Sequence, residues 1–323
     1  MVDAAGSVFT DVPAEAGSAK PDPIIVVDNL SRAFGGLKAV DVAHLEIQRG
    51  HITGLIGPNG AGKTTFFNLL TGFDRADTGT WTLDGVDVGR QPPHRVARHG
   101  VVRTFQLTKA LSRLSVLDNV RLGATGQSGE RMFNALLPFR WRKQEAEITE
   151  RAREMLVRFK LDAKADDMAG SLSGGQRKLL EMARALMTDP KVVMLDEPMA
   201  GVNPALTENL LEHVKTLRTQ GMTVVFVEHD MDVIRDISDW VVVMAQGAVI
   251  AESPPSGLAD NPAVVDAYLG SHHDQALEFD ADGNPVGATA ELAEEIEQAV
   301  ADTIEAGGDL SDPGVDIRAG RDD

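Results

Sequence analysis

Residues 57–65 read GPNGAGKTT. Gly57, Gly60 and Gly62, set among Pro58, Asn59 and Ala61, leave the backbone free to turn its N–H groups onto phosphate oxygens. Lys63 can reach the β- and γ-phosphates, and Thr64, followed by Thr65, offers a hydroxyl to Mg²⁺. A second set of groups lies at VVMLDEP, 192–198, where an apolar run ends in two carboxylates. Asp196 is placed to hold Mg²⁺ through water and Glu197 to polarise an attacking water. Phosphoryl transfer needs this kind of positioning and charge compensation more than covalent chemistry. An apolar run ending in Asp-Glu is common alone; beside a phosphate loop it reads as the other half of a nucleotide site. A third set is LSGGQRKLLEMARAL, 172–186, in which the Ser173 hydroxyl and the amides of Gly174 and Gly175, followed by Gln176, open a helix and form an anion site.

These groups need rigid elements beneath them. ITGLIG, 52–57, is an apolar run ending in glycine, a buried strand entering a loop, and TTFFNLLTG, 64–72, has helical spacing with a glycine stop. IIVVDNL, 24–30, and AVDVAHLEI, 39–47, read as earlier strands, the second alternating apolar and polar residues. Residues 110–190 carry mostly helical patterns, such as EAEITERAREMLVRFKL at 145–161. Strand patterns return at KVVMLDEP, TVVFVEHD (223–230) and DWVVVMAQG (239–247), separated by helices. Strands alternating with helices predict an α/β fold with a mainly parallel sheet and a helical insertion between its two blocks.

A phosphate loop alone suits a kinase, a GTPase, a helicase or a motor; LSGGQ narrows the choice. With both Walker motifs and this signature in order, about residues 24–270 resemble an ATP-binding-cassette (ABC) ATPase. The resemblance implies a P-loop cassette, with a mainly parallel core, an antiparallel β subdomain and an inserted helical subdomain at about 110–190. It implies ATP and Mg²⁺ as ligands and a second ATP-binding subunit, because the family's signature binds the γ-phosphate of ATP held by the other chain. It places Phe34 on the adenine with Val40 just after it, Gln106 in RTFQ on Mg²⁺ as the Q-loop glutamine, and His229 in VEHD on the γ-phosphate. The usual S-A-L-D of the family's D-loop is AGVN here, with Asn203 replacing the aspartate.

RAFGGLKAV (32–40), LLTGF (69–73), GVVRTFQ (100–106), MAGVNP (199–204), VEHDMDVI (227–234) and AYLG (267–270) are similar to ATP-binding subunits of branched-chain amino acid importers. Urea and short-amide importers and lipopolysaccharide-export ATPases share several of these. The segment SGERMFNALLPFRWRKQ, 128–144, resembles an insertion in the amino acid importers, and its apolar residues either face a membrane partner or pack internally. The implied partners are transmembrane permease subunits and, through them, an extracytoplasmic solute-binding protein; the implied location is peripheral, on the cytoplasmic face of the cell membrane. The solute is a property of those other chains. Non-transport ABC ATPases fit less well, since the Walker motifs lie about 130 residues apart with no sustained heptads between them, and there is one cassette.

Composition bounds the remainder. The 323 residues include no cysteine, which excludes disulfides, thiolate metal sites and cysteine nucleophiles. Aromatic residues make up 5%, and the net charge is −18, which argues against nucleic acid as a partner. No apolar run approaches the ~18 residues of a membrane span, and the start lacks the basic end and apolar stretch of a signal peptide. Residues 1–23, rich in Ala, Gly, Pro and Asp, read as a disordered lead-in. Residues 271–323 read as an acidic extension holding 15 acidic and 2 basic residues. Within it Leu292, Ile296, Val300 and Ile304 form an apolar stripe on a predicted helix. DADGNPVGATAE, 280–291, has Pro285 where a calcium loop needs glycine, so a turn into that helix is the plainer reading.

Overall fold

The computed structural model describes residues 8–104, 110–127, 141–202, 204–258 and 261–273. The chain divides into two compact units, Met1–Leu269 and Gly270–Asp323. The apolar stripe and the turn before it lie outside the described residues, as do Gln106, Asn203 and residues 128–140.

The first unit holds two sheets. The smaller is antiparallel: β1 (Pro23–Phe34) pairs with β2 (Leu37–Gln48) on one side and β4 (Thr78–Leu83) on the other, and β5 (Val86–Asp87) closes the edge. The larger has six strands in the order β10 (Ala248–Ser253), β9 (Trp240–Ala245), β3 (Ile52–Ile56), β8 (Thr223–Val227), β7 (Val192–Asp196), β6 (Val101–Arg103). All its pairings are parallel except β9 with β10. Every residue of β3, β7 and β8 is buried, which is why these strands read as continuous apolar runs: a parallel sheet is covered on both faces.

The helices are α1 (Lys63–Leu70), α2 (Pro93–His99), α3 (Val116–Arg121), α4 (Arg142–Arg158), α5 (Gly174–Leu186), α6 (Pro204–Thr219), α7 (Met231–Ile237) and α8 (Pro262–His273). The first turn of α3 is fixed by Ser115, whose hydroxyl accepts from the Asp118 amide. Val120 of α3, Leu156 of α4 and Met182 of α5 are buried in one core with Val193 and Phe226 of the large sheet, so the helical insertion is packed onto the strands that carry the chemistry. Because β3, β8 and β7 are adjacent and parallel, their C-terminal ends deliver the phosphate loop, Glu228-His229 and Asp196-Glu197 to one edge, the usual ligand edge of an open α/β sheet.

The expected disorder of residues 1–23 does not hold for residues 8–22. Phe9 is buried, its ring stacked on Trp240 at 4.9 Å and edge-on to His51 at 5.2 Å. Lys20 pairs with Glu252 at 2.9 Å, with the two side chains 1% and 0% exposed. The same carboxylate accepts from Trp240 Nε1 (2.9 Å) and from the Gly17 amide (2.8 Å). Phe9 stacks on Trp240 and Lys20 pairs with Glu252, each more than 200 positions away, where local composition carries no signal. Breaking a buried pair from one side leaves a bare charge. Glu252→Ala is therefore expected to lower stability by about 3–5 kcal/mol, and Lys20→Met with Glu252→Gln by much less. Urea unfolding of the two variants checks the difference.

Candidate active site

The phosphate loop connects β3 to α1. Gly57 has φ +147 and Gly62, the N-cap of α1, has φ +96. A Cβ on Gly57 would stand 2.0 Å from the Met244 carbonyl oxygen, and one on Gly62 would stand 2.1 Å from that of Ala39. Both positions thus need glycine for backbone conformation and for close approach. Lys63 is buried, and its Nζ donates to the carbonyls of Gly57 (2.5 Å) and Pro58 (3.0 Å). Burial pushes its pKa down, an effect opposed by the charges of Glu197 and Asp196. The loop therefore already surrounds a cation aimed at its own centre.

Glu197 follows β7 with φ +46, a conformation that costs a non-glycine residue about 1–3 kcal/mol and marks a position held for its side chain. Its Oε1 lies 3.0 Å from His229 Nε2, which arrives from the end of β8. Phosphate loop, carboxylate and imidazole line one cavity of about 570 Å³, formed by residues 59–65, Glu197 and His229 together with Leu37, Lys38 and Ala39. The motif residues separated by more than 130 positions in the chain are thereby brought together.

Two of the expected nucleotide-binding residues lie outside the lining of this cavity. Val40 is fully buried in the core and does not line the cavity. On β2 the lining ends at Ala39, and the next side chain, Val40, packs into the core. Phe34 is also absent from the lining: its half-exposed ring lies against the Arg32 guanidinium, 4.6 Å from the ring centroid, and Leu37 of the same hairpin borders the cavity instead.

Ser173 caps α5 in a reciprocal box: its hydroxyl accepts from the Gln176 amide (3.3 Å), and Gln176 Oε1 accepts from the Ser173 amide (3.1 Å). Ser173 and Gly174 are exposed, and a Cβ on Gly174 would meet nothing within 4 Å. Gly175 is buried, and its Cβ would stand 1.8 Å from Leu206 Cδ2. None of these residues lines the Lys63 cavity, and the exposed Ser173 and Gly174 face solvent.

Three supporting residues escaped the sequence reading. Glu228 is buried, accepts from the amides of Met199 (2.8 Å) and His229 (3.3 Å), and has its pKa pushed up by desolvation. It holds the loops after β7 and β8 against each other. Its signal was present, since TVVFVE repeats the pattern of an apolar strand ending in acid. Lys178, one turn along α5 from the signature, donates to the carbonyls of Pro198 (2.9 Å), Ala200 (2.5 Å) and Glu197 (3.4 Å). It ties the signature helix to the loop that carries Glu197. The third is Arg103, at the end of β6.

Over 248 residues the chain is 45% identical to the probable branched-chain amino acid transport ATP-binding protein LivG of Archaeoglobus fulgidus, an overlap of 77% of this chain and 96% of that one. The chain belongs to the ABC transporter family. The family match, described as ABC transporter, spans residues 40–200 and so contains both Walker motifs and the signature. The cassette is also 40% identical over 250 residues to the high-affinity branched-chain amino acid transport ATP-binding protein BraF of Pseudomonas aeruginosa, covering 77% of this chain and 98% of that one. Among solved structures, the ADP conformation of MJ1267, an ATP-binding cassette of an ABC transporter, matches with a TM-score of 0.67 and 38% identity, over 77% of this chain and 99% of that one. The ABC cassette described above is therefore similar in sequence and in architecture to relatives that it spans almost end to end.

Proposed function

We propose that this chain is the ATP-hydrolysing subunit of an importer for branched-chain amino acids, working as one of two cassettes beneath transmembrane permease subunits. The observation that carries the hydrolytic part is the Glu197–His229 pair, 3.0 Å apart at the mouth of the phosphate-loop cavity. Lys63 and the loop amides bind the phosphates. Glu197 accepts a hydrogen bond from the attacking water and fixes its line of approach, and His229 holds Glu197 on one side and reaches the γ-phosphate on the other.

Thr64 and Asp196 are the groups suited to magnesium. Both stand at the ends of elements of the site, Thr64 in the first turn of α1 and Asp196 at the end of β7. Bound there, magnesium would compensate charge between the β- and γ-oxygens.

The position of the signature supports the two-cassette reading. Ser173 and Gly174 are exposed at the start of α5 and do not line the chain's own cavity, and a second cassette placed head to tail would bring its γ-phosphate to the Ser173–Gln176 turn. Ser173→Arg is accordingly expected to abolish hydrolysis while the nucleotide affinity of the monomer stays near the parent value. Fluorescent-nucleotide titration beside a phosphate-release assay separates the two. A matching loss of monomer affinity would place Ser173 in its own chain's site and contradict the arrangement.

No helix among the described residues is long and apolar enough to cross a membrane. In the proposed importer the permease subunits hold this chain at the cytoplasmic face of the membrane. The solute follows from the names of the LivG and BraF relatives. Uptake of radiolabelled leucine into vesicles bearing the permease subunits and this chain, driven by ATP, tests that step. Transport of a different solute class would replace it.

A further inference from the structure

β6 ends at Arg103, whose guanidinium is buried between two elements of the site. Nη2 donates to Asp196 Oδ2 at 2.5 Å and Nη1 donates to Asn68 Oδ1 at 2.6 Å. The Arg103 and Asp196 side chains are 5% and 9% exposed, and the guanidinium lies 5.5 Å from the centroid of the Phe67 ring. The parallel pairing of β6 with β7, Arg103 opposite Met194, sets the height of Arg103 beside the acidic strand end. Asn68 stands on α1, four residues beyond Thr64 and thus about one turn along the same face. One rigid fork therefore joins the helix that carries Thr64 to the strand that carries Asp196.

We propose that Arg103 is a positioning residue that sets the spacing and orientation between Thr64 and Asp196, and through them the site's affinity for magnesium. It rests on the metal role of those two residues proposed above. Two effects of the guanidinium oppose each other. Its charge weakens the pull of Asp196 on a cation, and its geometry fixes the carboxylate beside the helix that carries Thr64. We take geometry to win because one guanidinium ties Asp196 Oδ2 and Asn68 Oδ1 at the same time, so that the carboxylate is held in a fixed place relative to the helix of Thr64. A carboxylate released from the fork is free to turn away from that place. Loss of a residue that orients a metal ligand commonly costs 10–100-fold in metal affinity. Lysine is no substitute, since a single ammonium cannot hold Asn68 and Asp196 at once in fixed geometry.

The test is a magnesium titration of the full chain with a fluorescent ATP analogue, on the parent, Arg103→Lys and Asn68→Ala. Arg103→Lys keeps a buried cation beside Asp196, and Asn68→Ala leaves Arg103 intact but loosens its fork. The magnesium midpoint is expected to rise about tenfold in Arg103→Lys and by a smaller factor in Asn68→Ala, with analogue affinity in EDTA and melting temperature near the parent values. An unchanged midpoint in the folded variants would reduce Arg103 to an ion pair of the scaffold. A lowered midpoint would make it a mere competitor of the metal. Either overturns the proposal. Asp196→Asn separates this from the metal assignment: if that variant keeps the parent midpoint, the metal role itself is wrong.

Discussion

Glu197→Gln is expected to lower steady-state phosphate release by about 10²–10⁴-fold, the usual contribution of a group that accepts or orients a proton in the transition state. The amide keeps the size of the side chain and can stay within reach of His229, so the positive-φ turn after β7 is preserved. It loses the second acceptor and the charge that draws the water's proton. Lys63 and the loop amides are untouched, so nucleotide affinity should remain near the parent value. Bound ATP would then persist between the two cassettes, and the variant should sediment as a dimer with ATP and as a monomer with ADP. Phosphate release within a few-fold of the parent would show that another group orients the water.

Lys63→Met should act at the opposite end of the reaction. The substitution retains an apolar stem in a buried position and removes the ammonium that now bonds Gly57 and Pro58 carbonyls. Charged hydrogen bonds of this kind contribute about 1.5–3 kcal/mol each, so ATP affinity should fall roughly ten- to hundredfold at each bond lost. AMP, which has no β- or γ-phosphate for the lysine to reach, should lose little. Equilibrium titrations with the two nucleotides test this contrast, and an equal loss for both would place Lys63 elsewhere than on the outer phosphates.

The parts of the site that were legible in the sequence share one property: their chemistry and their geometry are local. In GPNGAGKTT the glycines, the lysine and the hydroxyl all belong to one turn, so residue order alone specifies the cradle. The same holds for Ser173 and Gln176, whose reciprocal cap closes within four residues. Val40 shows where locality ends. It neighbours Ala39, which lines the cavity, while its own side chain is buried in the core, a difference that only the fold shows. Arg103 and Lys20 lie further out of reach. Each is an ordinary basic residue in sequence, and each is buried against a carboxylate more than 90 positions away. Only the fold reveals that pairing. Glu228 is legible by the same local rule, because TVVFVE, like VVMLDE, is an apolar strand ending in acid, and the two strands are neighbours in the sheet.

The central claim is that each ATP site is completed by the signature of a second chain. The measurement that tests it most directly is the phosphate-release rate per chain as a function of chain concentration, at saturating ATP and magnesium. A site assembled from Lys63, Glu197 and His229 of one cassette and Ser173 of another predicts a rate per chain that rises with concentration and levels off as the dimer fills. A rate per chain that stays constant from concentrations at which the protein is monomeric would show that one cassette hydrolyses ATP alone, and would contradict the account.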